Sequence, residues 1–237
     1  MKKITFLATL LVALPALADL RQQIESKSGW VGYSVPIAGH HLVCSYDDSE
    51  TINSGGNYRE ESSALQVLYY VSNGRIDTIR LSSPECMQTR TVTWIDPVDS
   101  RDSVRLLRSL IASDERSVTK KAVTALALHQ NTVDDLIDIA HHHPSSKIRG
   151  SALFWISQAA GARAAAVLKN AVENDPEESV KTKAVFGISQ LPDDQSIPML
   201  IDLMKTNRSA AVRKKAAFWL GQKNDPRALR ALEEMLK

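Results

Sequence analysis

The apolar positions of this chain follow two different periods. From residue 118 onward they recur at i, i+3 and i+4, the spacing of one face of an α-helix. The pattern also repeats on itself. Val180-Lys-Thr-Lys-Ala-Val-Phe-Gly-Ile-Ser-Gln190 aligns with Val212-Arg-Lys-Lys-Ala-Ala-Phe-Trp-Leu-Gly-Gln222. The same frame falls an equal distance earlier on Ile148-Arg-Gly-Ser-Ala-Leu-Phe-Trp-Ile-Ser-Gln158. Val118 to Leu128 is a more divergent copy. A second amphipathic segment follows each copy: Val133 to Ala140, Ala165 to Val172, Ile197 to Met204 and Leu229 to Leu236. In these, Leu136, Leu168, Leu200 and Leu232 hold one position, and Ile139, Ala171, Leu203 and Met235 another. Asp175-Pro176, Leu191-Pro192-Asp193-Asp194 and Asn224-Asp225-Pro226 carry the turn and start signals between helices. A further helix at about Ser100 to Ala112 precedes the first copy and caps the array.

Such a pattern predicts an α-solenoid of about four helical hairpins over 97–237. One hairpin cannot bury its own apolar faces, whereas stacked copies share a continuous core. The alanines Ala122, Ala152, Ala184 and Ala216 leave room for neighbouring helices to approach closely.

Residues 19–96 read with a period of two. Trp30 to Ile37, Leu42 to Tyr46, Leu65 to Val71, Arg75 to Leu81 and Thr89 to Ile95 suit strands, and Leu20 to Ser26 a short helix. Asn73-Gly74 between two alternating runs is a strong hairpin signal, because a two-residue turn with positive φ favours that pair. Thr51 to Glu61, rich in Asn, Gly and Ser, reads as a loop. The fold class is therefore α+β: a small antiparallel β domain followed by the solenoid.

The segment from Met1 to Ala18 has a different purpose. Lys2 and Lys3 precede an uncharged, mostly apolar run from Ile4 to Leu14, then Pro15 and the small-x-small site Ala16-Leu17-Ala18. This is the layout of a cleavable export signal, with cleavage after Ala18 and a periplasmic or secreted mature chain. The run is shorter than the roughly 20 residues a spanning helix needs, and no membrane span is expected in the mature chain. Without Lys2 and Lys3, basic and acidic residues balance at 27 each. That balance gives no electrostatic footprint for nucleic acid. Export also bears on the two cysteines, Cys44 and Cys86. An even count in an oxidising compartment predicts a disulfide, worth roughly 3–4 kcal/mol for a loop of about 40 residues.

The motif V-R/K-x-x-A-x-F-x-L/I-x-Q, followed by D-P and a leucine-rich helix, resembles the HEAT-like repeat of the phycobilisome-lyase type. The tail from Ala211 to Leu236 is similar to repeats of a broad group of bacterial HEAT repeat domain-containing proteins. The resemblance covers about Val118 to Lys237 and implies protein–protein interaction. It brings with it no catalytic residue and no cofactor, and fold alone does not assign function.

Two ladders are candidate protein-binding features. On a helical wheel with Val212 at the origin, Ala216, Trp219 and Leu220 fall within about 80° of it, and Phe218 at about 240°. Phe154, Phe186 and Phe218 thus form either an exposed flank or inter-repeat packing. Trp155 and Trp219 are expected in the core. The basic residues Arg149, Lys181 and Arg213 line up at the start of the first helices. They either grip an acidic partner or form an internal ladder with the aspartates of the preceding turns, as the repeat family implies. His141-His142-His143 does not read as a metal site, because adjacent helical residues point in different directions and ligands must converge. Pro144 also marks a helix end, where His suits the dipole.

No G-x-S-x-G, P-loop, GxGxxG or HExxH is present. The expected function is that of an exported adaptor or scaffold acting on another protein, without catalysis. The alternatives are a lyase-like enzyme, suggested by the family name alone, and a ligand- or metal-binding sensor of the cell envelope.

Overall fold

A computed structural model describes residues 19–37, 41–46, 49–54, 62–84, 86, 91–113, 116–159 and 162–235. The expected signal segment lies outside them. Within the described residues a short helix α1 (Leu20–Glu25) is followed by β1 (Gly29–Pro36), β2 (His41–Tyr46), β3 (Ser49–Ser54), β4 (Ala64–Ser72), β5 (Arg75–Ser82) and β6 (Val92–Trp94). Then come α2 (Ser100–Ala112), α3 (Arg116–Leu128), α4 (Val133–His142), α5 (Ser146–Gln158) and α6 (Ala162–Asn174). The chain continues through α7 (Glu178–Ser189), α8 (Asp193–Thr206), α9 (Ala210–Gly221) and α10 (Pro226–Met235). The α+β class and the helical stack are as the periodicity predicts.

The sheet departs from expectation in two places. Its order is β5-β4-β1-β6, with β2 and β3 forming a separate two-stranded ribbon. β1, β4 and β5 pair antiparallel, but β6 runs parallel to β1, with Trp30 opposite Val92 and Gly32 opposite Trp94. The chain leaves the sheet at β5 and rejoins it at the opposite edge. Ser49–Ser54 is also a strand, although part of it lies in the stretch expected to be a loop. It pairs in register with His41–Tyr46. A two-stranded ladder satisfies backbone groups without an apolar run, so hydrophobic pattern does not reveal it. The Asn73-Gly74 turn forms as predicted, with both residues at positive φ.

One face of the sheet is apolar, and it is buried against the start of the stack. Val31, Tyr33 and Val35 of β1, Leu65, Val67 and Tyr69 of β4, and Ile79 and Leu81 of β5 are almost fully buried. They join Leu106, Leu107 and Leu110 of α2 and Leu126 of α3 in a cluster that continues to Ala231. The end of β1 is also stitched to the α3–α4 joint. Ile37 bridges His129, and the Gln130 Nε2 donates to the Ile37 carbonyl at 3.0 Å.

A buried polar chain crosses this junction. Tyr69 Oη lies 2.8 Å from Tyr33 Oη, which lies 2.7 Å from Ser103 Oγ, itself 2.8 Å from His129 Nε2. The other imidazole nitrogen, Nδ1, is 2.7 Å from the Ala125 carbonyl. A carbonyl can only accept, so neutral His129 carries its proton on Nδ1 and accepts at Nε2. The order follows: Ser103 donates to His129, Tyr33 to Ser103, and Tyr69 to Tyr33. Burial pushes the Tyr33 phenol up to about 12, so the chain stays neutral.

Within the stack, α3, α5, α7 and α9 pack side by side as one layer, and the intervening helices form the other. Ala122, Ala152, Ala184 and Ala216 are fully buried at these contacts, as their size predicts. Leu136, Leu168 and Leu200 are likewise buried in the second helices. At Gly187 the fit is tight. A Cβ there would stand 2.5 Å from Leu168 Cδ2.

Two measurements check this architecture. Gly187→Ala should destabilise by about 1–3 kcal/mol in urea denaturation, the usual range for overpacking a core. The second concerns acid. Burial holds the His129 imidazole below its ordinary value, so the unfolded chain takes up its proton first, near the reference pKa of about 6.5. The stability that neutral His129 provides is complete above that pH and is lost as pH falls through it toward the folded value. The urea midpoint should therefore drop from pH 8 to pH 5.5, and His129→Asn should flatten that slope. An unchanged slope in the variant would refute the neutral assignment.

Candidate functional site

The joints of the stack are built from one repeated turn. His143, Asp175 and Asn207 occupy equivalent places in successive repeats, and each accepts the backbone N–H two residues on. Ser145 N lies 3.1 Å from His143 Nδ1, Glu177 N 2.9 Å from Asp175 Oδ1, and Ser209 N 2.9 Å from Asn207 Oδ1. The basic ladder follows within the next helical turns, and its first rung is not on the surface. Arg149 is 6 % exposed. Its Nε and Nη2 form a two-pronged pair with Asp175 at 2.8 and 2.9 Å. Its Nη1 donates to the His143 and Pro144 carbonyls. Burial works against the Asp175 carboxylate, but the bonds from Arg149 and the Glu177 amide outweigh it and hold the carboxyl below its usual range.

The other two rungs keep part of this arrangement. Arg213 Nη1 donates to the Asn207 and Arg208 carbonyls, the equivalents of His143 and Pro144. Lys181 Nζ donates to the Glu173 carbonyl at 3.1 Å. Arg149 is therefore a clamp between repeats and is removed from the candidate binding set. Lys181 and Arg213 are half-buried and also hold backbone.

The phenylalanines behave differently. Phe154 is 39 % exposed and Phe218 52 %, with Phe186 half-buried between them. They also touch across the repeats. Phe154 and Phe186 stack with centroids 6.3 Å apart and planes 2° from parallel. Trp219 meets Phe186 at 5.1 Å and Phe218 at 4.9 Å, and Trp155 meets Phe154 at 5.2 Å. The two expectations for these residues are thus not exclusive: one aromatic strip both packs between repeats and reaches solvent. Trp155 and Trp219 are half-buried members of the strip as well as packing on the core. The Trp219 Nε1–H is buried and meets no acceptor among the described residues. Lys215 Nζ stands 5.3 Å from the Phe218 centroid and 5.4 Å from that of Trp219, within cation–π range.

Elsewhere the side chains spread apart. His141 and His142 are exposed, His142 pairs with Asp138 at 2.8 Å, and His143 is buried with Nε2 at 3.2 Å from the Ile111 carbonyl. No group of three potential metal ligands occurs among the described residues. A groove of about 700 Å³ lies between α2 and α4, lined by Arg108, Ile111, Asp135, Ile139 and His143 among others. Its carboxylates are occupied: Asp134 pairs with Arg163, Asp135 with Arg108, and Asp138 with His142. A feature the repeat pattern did not signal is an aromatic patch on the outer face of the sheet. Trp30 and Tyr70 lie 5.4 Å apart there, and Tyr70 and Trp94 are exposed. Alternation in β1 and β4 places Trp30 and Tyr70 opposite the buried face and was the available signal. Cys86 is buried, and the side chain of Cys44 lies outside the described residues.

The clamp and the ladder predict unequal costs. Arg149→Ala should destabilise by about 3–5 kcal/mol in chemical denaturation, because it strands a buried carboxylate. Arg213→Ala removes only two bonds to carbonyls and should cost about 1–2 kcal/mol. Equal losses would show that the two positions do the same job.

No curated protein matches the chain. The family described as HEAT repeats matches residues 133–208 and again residues 165–237, which together run from α4 to the last helix. The expected first copy in α3 lies upstream of the match. The helical layers and this match together support HEAT repeats over residues 133–237.

Proposed function

We propose that this protein is an exported adaptor or scaffold that binds another protein through the layer formed by α3, α5, α7 and α9. HEAT repeats commonly mediate protein–protein interaction and scaffolding. The observation that carries the reading is the aromatic strip from Phe154 to Phe218, exposed at both ends. Exposed apolar surface of this kind marks interaction sites. The repeats are proposed to be of the bacterial phycobilisome-lyase type on their V-R/K-x-x-A-x-F motif, with the adaptor role in place of catalysis. Export is supported by the composition of the segment from Met1 to Ala18, and a Cys44–Cys86 bridge by the even cysteine count that goes with it. The closeness of β2 to β5 in the fold suits such a bridge.

The test is crosslinking capture from envelope extract of the source cell. Wild-type protein should retain a specific partner, and the double variant Phe154→Ser/Phe218→Ser should lose it while keeping its helical circular dichroism. A partner retained equally by both proteins would remove the strip from the reading, and no partner at all would remove the reading. The bridge is checked separately, by mass spectrometry of protein purified from the envelope. Alkylation should label neither cysteine before reduction and both after it.

A further inference from the structure

We propose that Lys120, Lys147 and Lys183 form an anion-accepting saddle, and that its ligand is an acidic segment of a partner protein whose apolar side chains lie along the Phe154–Phe186 strip. This deepens the reading of that layer as a protein-binding face and rests on it.

The saddle is made by a missing side chain. Lys183 belongs to α7, yet its side chain lies across α5 at Gly150. A Cβ on Gly150 would stand 2.4 Å from Lys183 Cδ and 2.9 Å from its Nζ. The glycine thus gives the lysine a track over the neighbouring helix. It carries the ammonium toward Lys120 on α3 and Lys147 at the start of α5. Three successive repeats thereby contribute one charge each to one place. Partial burial, together with the charges of Lys120 and Lys147, depresses the Lys183 amine below its ordinary value.

No carboxylate among the described residues offsets these charges. Several other cations that bridge helices do meet one: Lys205 with Glu234, Lys223 with Asp193, Arg163 with Asp134 and Arg108 with Asp135. Lys120, Lys147 and Lys183 are exposed and make no ion pair among the described residues. Crowding like charges is unfavourable, and an incoming anion relieves it.

Phe154 lies four residues beyond Gly150 on α5 and Phe186 three beyond Lys183 on α7, each pair neighbours on its helix. Phe154 and Phe186 lie parallel with centroids 6.3 Å apart. Aromatic surface beside positive charge suits a segment that carries both apolar and acidic side chains. The positive charge is also local. The formal net charge of the whole chain is only +2, far from the broad basic field with which proteins hold nucleic acid or anionic membranes.

The test uses the full chain and fluorescence anisotropy. The probes are a labelled peptide alternating Glu and Leu, its counterpart with Gln for Glu, oligothymidylate, and phosphatidylserine vesicles. The acidic peptide should bind most tightly, and its binding should weaken with salt. The triple variant Lys120→Glu/Lys147→Glu/Lys183→Glu should lose on the order of tenfold or more in affinity. Lys214→Glu, a single such charge reversal outside the saddle, should leave binding close to wild type. Gly150→Ala keeps every charge but displaces Lys183, and should weaken binding several-fold in a protein with unchanged circular dichroism. The proposal is overturned if the wild type binds acidic and neutral peptides alike, if the triple variant or Gly150→Ala binds as the wild type does, or if Lys214→Glu is as damaging as the triple variant. Tighter binding of oligothymidylate or vesicles overturns the partner class. If the saddle variants keep an envelope partner that the Phe154→Ser/Phe218→Ser variant loses, the saddle fails and the adaptor reading stands.

Discussion

The junction between sheet and stack turns on one hydrogen-bonded chain, from Tyr69 through Tyr33 and Ser103 to His129 and the Ala125 carbonyl. Apolar surface supplies the attraction there, but Val31, Leu65, Leu107 and Leu126 could slide against one another at small cost. The chain cannot slide. Its direction is fixed at one end by a carbonyl that only accepts, and each member's proton is committed to the next. Buried polar groups left unmatched are expensive, so one orientation is selected. That orientation sets α2 and α3, and every later helix is laid down on the one before it.

The stack then changes character along its length. Near the sheet it is locked by Arg149 and Asp175, a buried pair with both prongs filled. One repeat later Lys181 reaches a single carbonyl, and in the repeat after that Arg213 holds two carbonyls without a carboxylate. Exposure follows the same trend. Leu203 is buried, whereas Met235, its equivalent in the following repeat, is 53 % exposed. The aromatic strip lies along this gradient, anchored by stacking at Phe154 and most open at Phe218. A firm base and an accessible flank suit a surface that presents itself to other molecules.

Much of this was legible in the sequence, and the reasons are physical. A repeat of constant length imposes the same burial on equivalent positions, so the helices, their joints and the alanine contacts could be read directly. β3 and the parallel direction of β6 could not, because backbone pairing leaves no apolar signature. The candidate site was legible only in outline. Arg149, Lys181 and Arg213 line up as equals, yet only the first is a buried clamp. The distinguishing signal lies in the next joint: Asp175 stands there for Arg149, while uncharged Asn207 holds the equivalent place for Lys181. The saddle was beyond reach. Nothing along the chain relates Gly150 to Lys183 until two helices are laid side by side.

Gly187 bears on whether these repeats are interchangeable. At its position the neighbouring copies carry Trp155 and Trp219, and Leu168 fills the space that an indole would need. The middle unit is therefore keyed to the one before it. Duplicating an outer copy into the middle, or shuffling the order, would drive a tryptophan into an occupied seat. The array is a sentence with fixed word order rather than a string of identical beads. New lengths of it could arise only by duplicating units together with the neighbours they fit.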